Sequence, residues 1–99
     1  MRQWTFLTNH AMVLLFLAHN PRITALELSR SLGITERRVR KIIADLEMEG
    51  YIEKVKEGRR IRYHVNPSLP FRHQAHRDRA IGKLLESLGW KPKRLRGKK

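Results

Sequence analysis

The sequence contains no cysteine. That excludes a disulfide framework and thiolate metal sites, and it fits a reducing, cytoplasmic setting. Long hydrophobic runs are missing too. The longest, Ala11 to Ala18, has eight residues, against the roughly 20 of a membrane span, and no exported leader with a cleavage site is expected. Acids are scarce: 9 stand against 22 Lys and Arg, for a net charge of +13 in 99 residues. Such an excess costs folding stability through self-repulsion and implies a polyanionic partner, nucleic acid first and an anionic membrane surface second. No nucleophile elbow, Walker loop, HExxH pattern or paired carboxylates occur, so the chain reads as a non-enzyme with no cofactor. What remains is a chain with 40% hydrophobic residues, enough for one modest core.

The apolar residues are ordered by changing periods. NHAMVLLFLAH reads as a buried helix of about ten residues, apolar almost all round. Asn20-Pro21 ends it. After the link Arg22-Ile23, Thr24 and Glu27 form a capping box for a second helix, with Ala25, Leu26, Leu28 and Leu32 as its apolar positions. Gly33 suits the residue that closes it. Thr35 caps a third helix, in which Val39, Ile42, Ile43 and Leu46 fall at i, i+3, i+4 and i+7. Beyond Gly50 the period drops to 2. YIEKVK and RIRYHV become two strands joined through Glu57-Gly58-Arg59, with Ile61, Tyr63 and Val65 inward and Arg60, Arg62 and His64 outward. A fourth helix is expected from His73 to Leu88, with the stripe Ile81, Leu84, Leu85 and Leu88.

Charge is unevenly placed. Residues 72–99 hold ten Lys or Arg against Asp78 and Glu86, and the last nine, KPKRLRGKK, hold six cations and no acid. Those nine read as a disordered basic arm or a solubility tail. The third helix is odd in another way. Arg37, Arg38, Arg40 and Lys41 crowd its first turns, where the positive end of the helix dipole makes each cation unfavourable by about 0.3–1 kcal/mol at low salt. Stability alone would place acids there, and Glu36 is the only one.

Helix, link, helix, glycine turn, helix, hairpin: in this order the chain resembles the winged helix-turn-helix domain of bacterial and archaeal transcription regulators, in the neighbourhood of the MarR and ArsR groups. The likeness runs from Thr8 to Asn66 and is carried by ALELSRSLGITERRVRKIIADLEMEGYIEK and GRRIRYHV. The flanks WTFLTNHA and NPSLPFRH are similar to those of compact regulators without an effector domain. The resemblance implies a mainly α fold with a two-stranded β-hairpin wing, an extra C-terminal helix and a basic tail. Residues 1–70 would be the winged helix-turn-helix domain, 71–90 a C-terminal helix for packing or dimerisation, and 91–99 the tail.

It also implies a use for the misplaced cations. In this fold the third helix, 35–49, lies in the major groove and leads with its N-terminal half. Arg37, Arg40, Lys41 and Ala44 then face the bases, Arg38 sits at the boundary and Thr35 caps the helix. Arginine can bond both O6 and N7 of guanine. The wing, 52–65, would reach the phosphate backbone or the minor groove with Lys54, Lys56, Arg59, Arg60 and Arg62, although such charges also protect an exposed edge strand. Ser29, Arg30 and Ser31 are further phosphate candidates.

The reading implied is a sequence-specific DNA-binding transcription regulator on double-stranded DNA, acting as a homodimer and not at a membrane. The alternatives are a nonspecific, chromatin-like or RNA-associated winged helix, or a protein-interaction winged helix. His73 and His76 are three apart, an acceptable metal-pair spacing, but with no cysteine and only Asp78 and Glu86 near in sequence no metal site is expected. His10 and His19 read as the polar ends of the first helix. Operator, regulated genes, sign of regulation and any effector are not legible.

Overall fold

In the computed structural model, residues 5–91 are described, so Trp4 and the tail beyond Lys91 lie outside them. The chain divides at Asn66-Pro67 into two compact units, 1–66 and 67–99.

The first unit holds three helices and a hairpin. Helix α1 (Asn9–His19) is capped by Thr8, whose Oγ1 accepts from the Ala11 N–H at 3.1 Å. At its far end the Asn20 N–H donates to the Phe16 carbonyl. Helix α2 (Ala25–Leu32) begins with the complete capping box: Thr24 Oγ1 accepts from the Glu27 N–H at 3.1 Å, and Glu27 accepts from the Thr24 N–H at 2.9 Å. Helix α3 (Glu36–Met48) starts at Thr35, whose Oγ1 accepts from the Arg38 N–H at 3.0 Å. Its C-terminus closes with Tyr51 N–H on the Leu46 carbonyl and Gly50 N–H on the Glu47 carbonyl, the paired bonds of a Schellman motif.

Strands β1 (Ile52–Glu57) and β2 (Arg60–Val65) pair antiparallel from Ile52↔Val65 to Glu57↔Arg60. Gly58 and Arg59 make the two-residue connection. Gly58 alone has positive φ, at 64°, which matches the twist of a type II′ hairpin turn. The Tyr63 N–H on the other edge of β2 donates to the Pro21 carbonyl at 2.8 Å, tying the wing to the link between α1 and α2.

The core of this unit is Val13, Leu14 and Leu17 of α1, Leu28 of α2, the α3 stripe Val39, Ile42, Ile43 and Leu46, and Tyr51, Ile52 and Val65 at the wing base. Each such side chain contributes about 1.5–3 kcal/mol by leaving water. Three expectations are corrected here. Helix α1 is buried along one side only, and Met12, Leu15 and Phe16 are half-buried. Leu26, expected in the α2 stripe, is 43% exposed, because Leu28 and Ser29 take the buried positions. On β2 the expected alternation is clear only at its end, where Val65 is buried and His64 exposed; Ile61 is 38% exposed, since the hairpin extends past the core.

The second unit contains a 3₁₀ turn (Gln74–His76) and helix α4 (Ile81–Ser87). The helix expected from His73 to Leu88 is therefore much shorter. Residues 72–79 carry three arginines, two histidines and no large apolar residue, so no face there gains by burial. An isolated antiparallel bridge, Pro70↔Ala80, instead holds Ala80 extended at φ −79°, ψ 146°, and the helix starts where the apolar stripe does.

Candidate nucleic-acid interface

Packing of Val39, Ile42, Ile43 and Leu46 fixes the roll of α3, and the residues between them are turned outward. Arg37, Arg38, Arg40, Lys41 and Ala44 are all exposed. Their charges are not equivalent. Arg40 is ion-paired with Glu36 one turn earlier. Lys41 Nζ lies 3.8 Å from Asp45 Oδ1. Arg37 and Arg38 are in no ion pair among the described residues. The helix is basic in its first half and acidic in its second, with Asp45 and Glu47 and no cation in the last turn. Both ends oppose the macrodipole, which an anion at the N-terminal half would offset.

Asp45 marks the boundary between the halves. His10 Nε2 on α1 donates to Asp45 Oδ2 at 2.8 Å. That bond, followed by the charge of Lys41, holds the Asp45 carboxyl below its usual range. His10 is thus more than a polar helix end: it ties α1 to α3 across 35 positions of sequence.

The strand register sorts the wing cations onto two faces. Lys54 and Lys56 share the face of Tyr63 and of buried Ile52 and Val65, while Arg60 and Arg62 share the face of Val55 and Glu57. Lys54 Nζ approaches Glu47 of α3 at 3.7 Å. Arg62 Nε donates to Glu57 Oε2 at 2.8 Å, and Arg22 Nε, from the α1–α2 link, donates to Glu57 Oε1 at 2.9 Å. These two bonds, that of Arg22 first, hold the Glu57 carboxyl below its usual range. Arg62 is half-buried in this cluster instead of projecting outward. Lys56, Arg59 and Arg60 near the tip are exposed and without an ion-pair partner among the described residues.

On α2, Arg30 and Ser31 are exposed, but Ser29 is only 8% exposed and its Oγ donates to the Leu26 carbonyl at 2.7 Å. Ser29 is therefore corrected from a phosphate candidate to a buried helix residue. The sequence reading missed Arg22, Glu57 as an acceptor between two arginines, and the His10–Asp45 bond. The only local sign was an acid, Glu57, placed beside a turn otherwise rich in cations. His73 Nδ1 accepts from the Ala75 N–H at 3.0 Å, and among the described residues no group of three His, Asp or Glu side chains is placed to hold a metal ion.

Three helices with a tight turn between the second and third, followed by a hairpin on the third, define a winged helix-turn-helix domain. Residues 8–53 match the family model described as winged helix-turn-helix DNA-binding, so the model and the fold agree on a domain of that kind over this part of the chain. Among solved structures it is similar to the zinc-dependent MarR family transcriptional regulator AdcR in its Zn(II)-bound state. Identity is 30% and the TM-score 0.52, over 66% of this chain and 47% of that one. The chain thus spans about half the length of AdcR. A predicted DNA-binding transcriptional regulator from E. coli shares 22% identity at TM-score 0.55, over 79% of this chain and 70% of its own. MepR, a transcription regulator of the Staphylococcus aureus multidrug efflux pump MepA, shares 14% at TM-score 0.56, over 82% and 56%. These last two show the fold alone. No curated protein sequence matches. No helix among the described residues is long and apolar enough to cross a membrane.

Proposed function

We propose that the chain is a sequence-specific DNA-binding transcription regulator that acts as a homodimer in the cytoplasm. Helix α3 with its Thr35 cap lies in the major groove, and the wing, 52–65, lies on the backbone or in the minor groove. The observation that carries this is the first half of α3: exposed cations, two of them in no ion pair among the described residues, stand where the helix dipole disfavours them and opposite a buried stripe. Arg37 and Arg40 are the base-reading residues in this proposal, with Lys56, Arg59 and Arg60 on phosphates. Dimerisation follows from reach, since one recognition helix reads only a few base pairs. The zinc dependence in the name of AdcR is not carried over, because the described residues assemble no ligand set.

The test is selection of preferred duplexes from a random pool, followed by titration against random DNA. A regulator prefers its selected site by about 10³ or more. A net charge of +13 favours the second reading, a nonspecific nucleic-acid binder. Equal affinity for selected and random duplexes would establish that reading instead. A solution mass near 11.8 kDa at micromolar concentration, rather than twice that, would refute the dimer.

A further inference from the structure

The second unit contains a charged loop that the winged helix does not use. Residues 70–80 leave and return to the same point: Pro70 bridges Ala80, the Phe71 N–H donates to the Arg79 carbonyl at 3.1 Å, and the Ile81 N–H donates to the Leu69 carbonyl at 2.7 Å. Within it the His76 N–H donates to the His73 carbonyl at 2.9 Å and the Arg79 N–H to the His76 carbonyl at 3.0 Å. Rings brace the interior, with Phe71 edge-on to His76 at 5.6 Å and His76 beside His73 at 5.8 Å. Residues 72–79 are all exposed, so backbone bonds and ring contacts order the loop, with little help from apolar burial.

A loop held in one shape by such means carries Arg77 and Arg79 on either side of Asp78. Arg77 and Arg79 have no acidic partner among the described residues, and Asp78 is paired with neither. Two cations two residues apart on one loop, neither paired with an acid among the described residues, repel each other, and a polyanion would offset that repulsion. The donors also suit phosphate. His73 accepts at Nδ1, which leaves Nε2 as the ring N–H able to donate, on the same loop as the two guanidiniums. Little ordering entropy remains to be lost on binding, since the closed backbone already sets the loop.

We propose that residues 72–79 are a second nucleic-acid contact, a phosphate-binding loop that grips duplex DNA through Arg77, Arg79 and His73 without reading bases. It rests on DNA binding by the winged helix-turn-helix unit, and is independent of whether that unit is sequence-specific. Residues 72–79 expose no apolar side chain larger than that of Ala75 to insert into lipid, which favours nucleic acid over an anionic membrane.

The experiment measures the salt dependence of full-chain binding to a random-sequence duplex. Each phosphate that the protein ceases to neutralise lowers the slope of log K against log salt by about 0.9, so the double variant R77A/R79A is expected to lose roughly 1.8. Its melting temperature and its base preference on any selected site stay as in the parent. The variant R77K/R79K keeps the charges and most of the slope. Lys83→Ala, which removes a cation of the same unit that lies 3.8 Å from Glu86, leaves the slope unchanged. A parental slope in R77A/R79A overturns the proposal while leaving the winged-helix reading standing, and so does an equal fall in K83A, which would report the overall field. Loss of binding to phosphatidylserine vesicles in R77A/R79A with an unchanged DNA slope would assign the loop to lipid and overturn it as well. No duplex binding by the parent chain would overturn both readings.

Discussion

Replacing Arg40 by Ala tests the base-reading role of α3 directly. In the free protein Arg40 is held by Glu36, an exposed i,i+4 pair of the kind that contributes about 0.3–0.5 kcal/mol. Reading guanine requires that pair to open or pivot. A good bidentate contact discriminates by about 1–3 kcal/mol, so the net loss at the contacted position should be about 0.5–2.5 kcal/mol, a factor of roughly 2 to 70 in affinity. Removing Glu36 first, in a Glu36→Ala background, should restore the full cost of Arg40→Ala. The fold should be indifferent, because Arg40 is exposed and alanine is the strongest helix former. Anisotropy titrations on the selected site and on each single-base-pair variant give the answer. The parent should discriminate at one position where R40A does not. Equal weakening on every sequence would make Arg40 a phosphate contact and pass the base reading to Arg37, and no weakening at all would make this face ordinary solvated surface.

Leu46→Ala should lower stability by about 2–5 kcal/mol, read as a fall in the denaturation midpoint, because it empties part of the buried α3 stripe. Gly82→Ala should also destabilise, by about 1–3 kcal/mol, since a Cβ there would stand 2.7 Å from Pro67 Cβ and 2.9 Å from the Pro67 carbonyl oxygen; a higher melting temperature from the better helix former would refute that packing. Asp45, Glu57 and Glu27 have carboxyl pKa values lowered from 3.8, 4.5 and 4.5 by His10, by Arg22 and by the Thr24 N–H respectively. In the acid range the unfolded chain binds more protons, so stability should be level at neutral pH and fall as pH drops below about 4.5; melting curves across that range check it, and Glu57→Gln should flatten the fall. Deleting residues 91–99 removes six cations; with about three or four of them on phosphates at once, the salt slope should fall by roughly 3 on specific and random DNA alike, whereas an unchanged slope would leave the segment as a solubility tail.

What the sequence determined by itself is everything whose cause lies within a few residues. Thr8, Thr24 and Thr35 cap helices because each side chain meets an amide three positions on. Gly58 sets the hairpin turn, and the spacing of Val39, Ile42, Ile43 and Leu46 decides which side of α3 is buried and therefore which cations are outside. The absence of a helix over 73–80 is legible too, in the lack of any apolar stripe before Ile81. Tertiary structure alone decided which charges pair across distant elements. Glu57 meets Arg22, and Asp45 meets His10, each across 35 positions. Ser29 turned inward with Leu28 where Leu26 was expected, because α2 must present one narrow face to α1 and α3. Periodicity says that a side chain lies outside, but pairing between distant charges depends on where the elements pack, and that is fixed by the core.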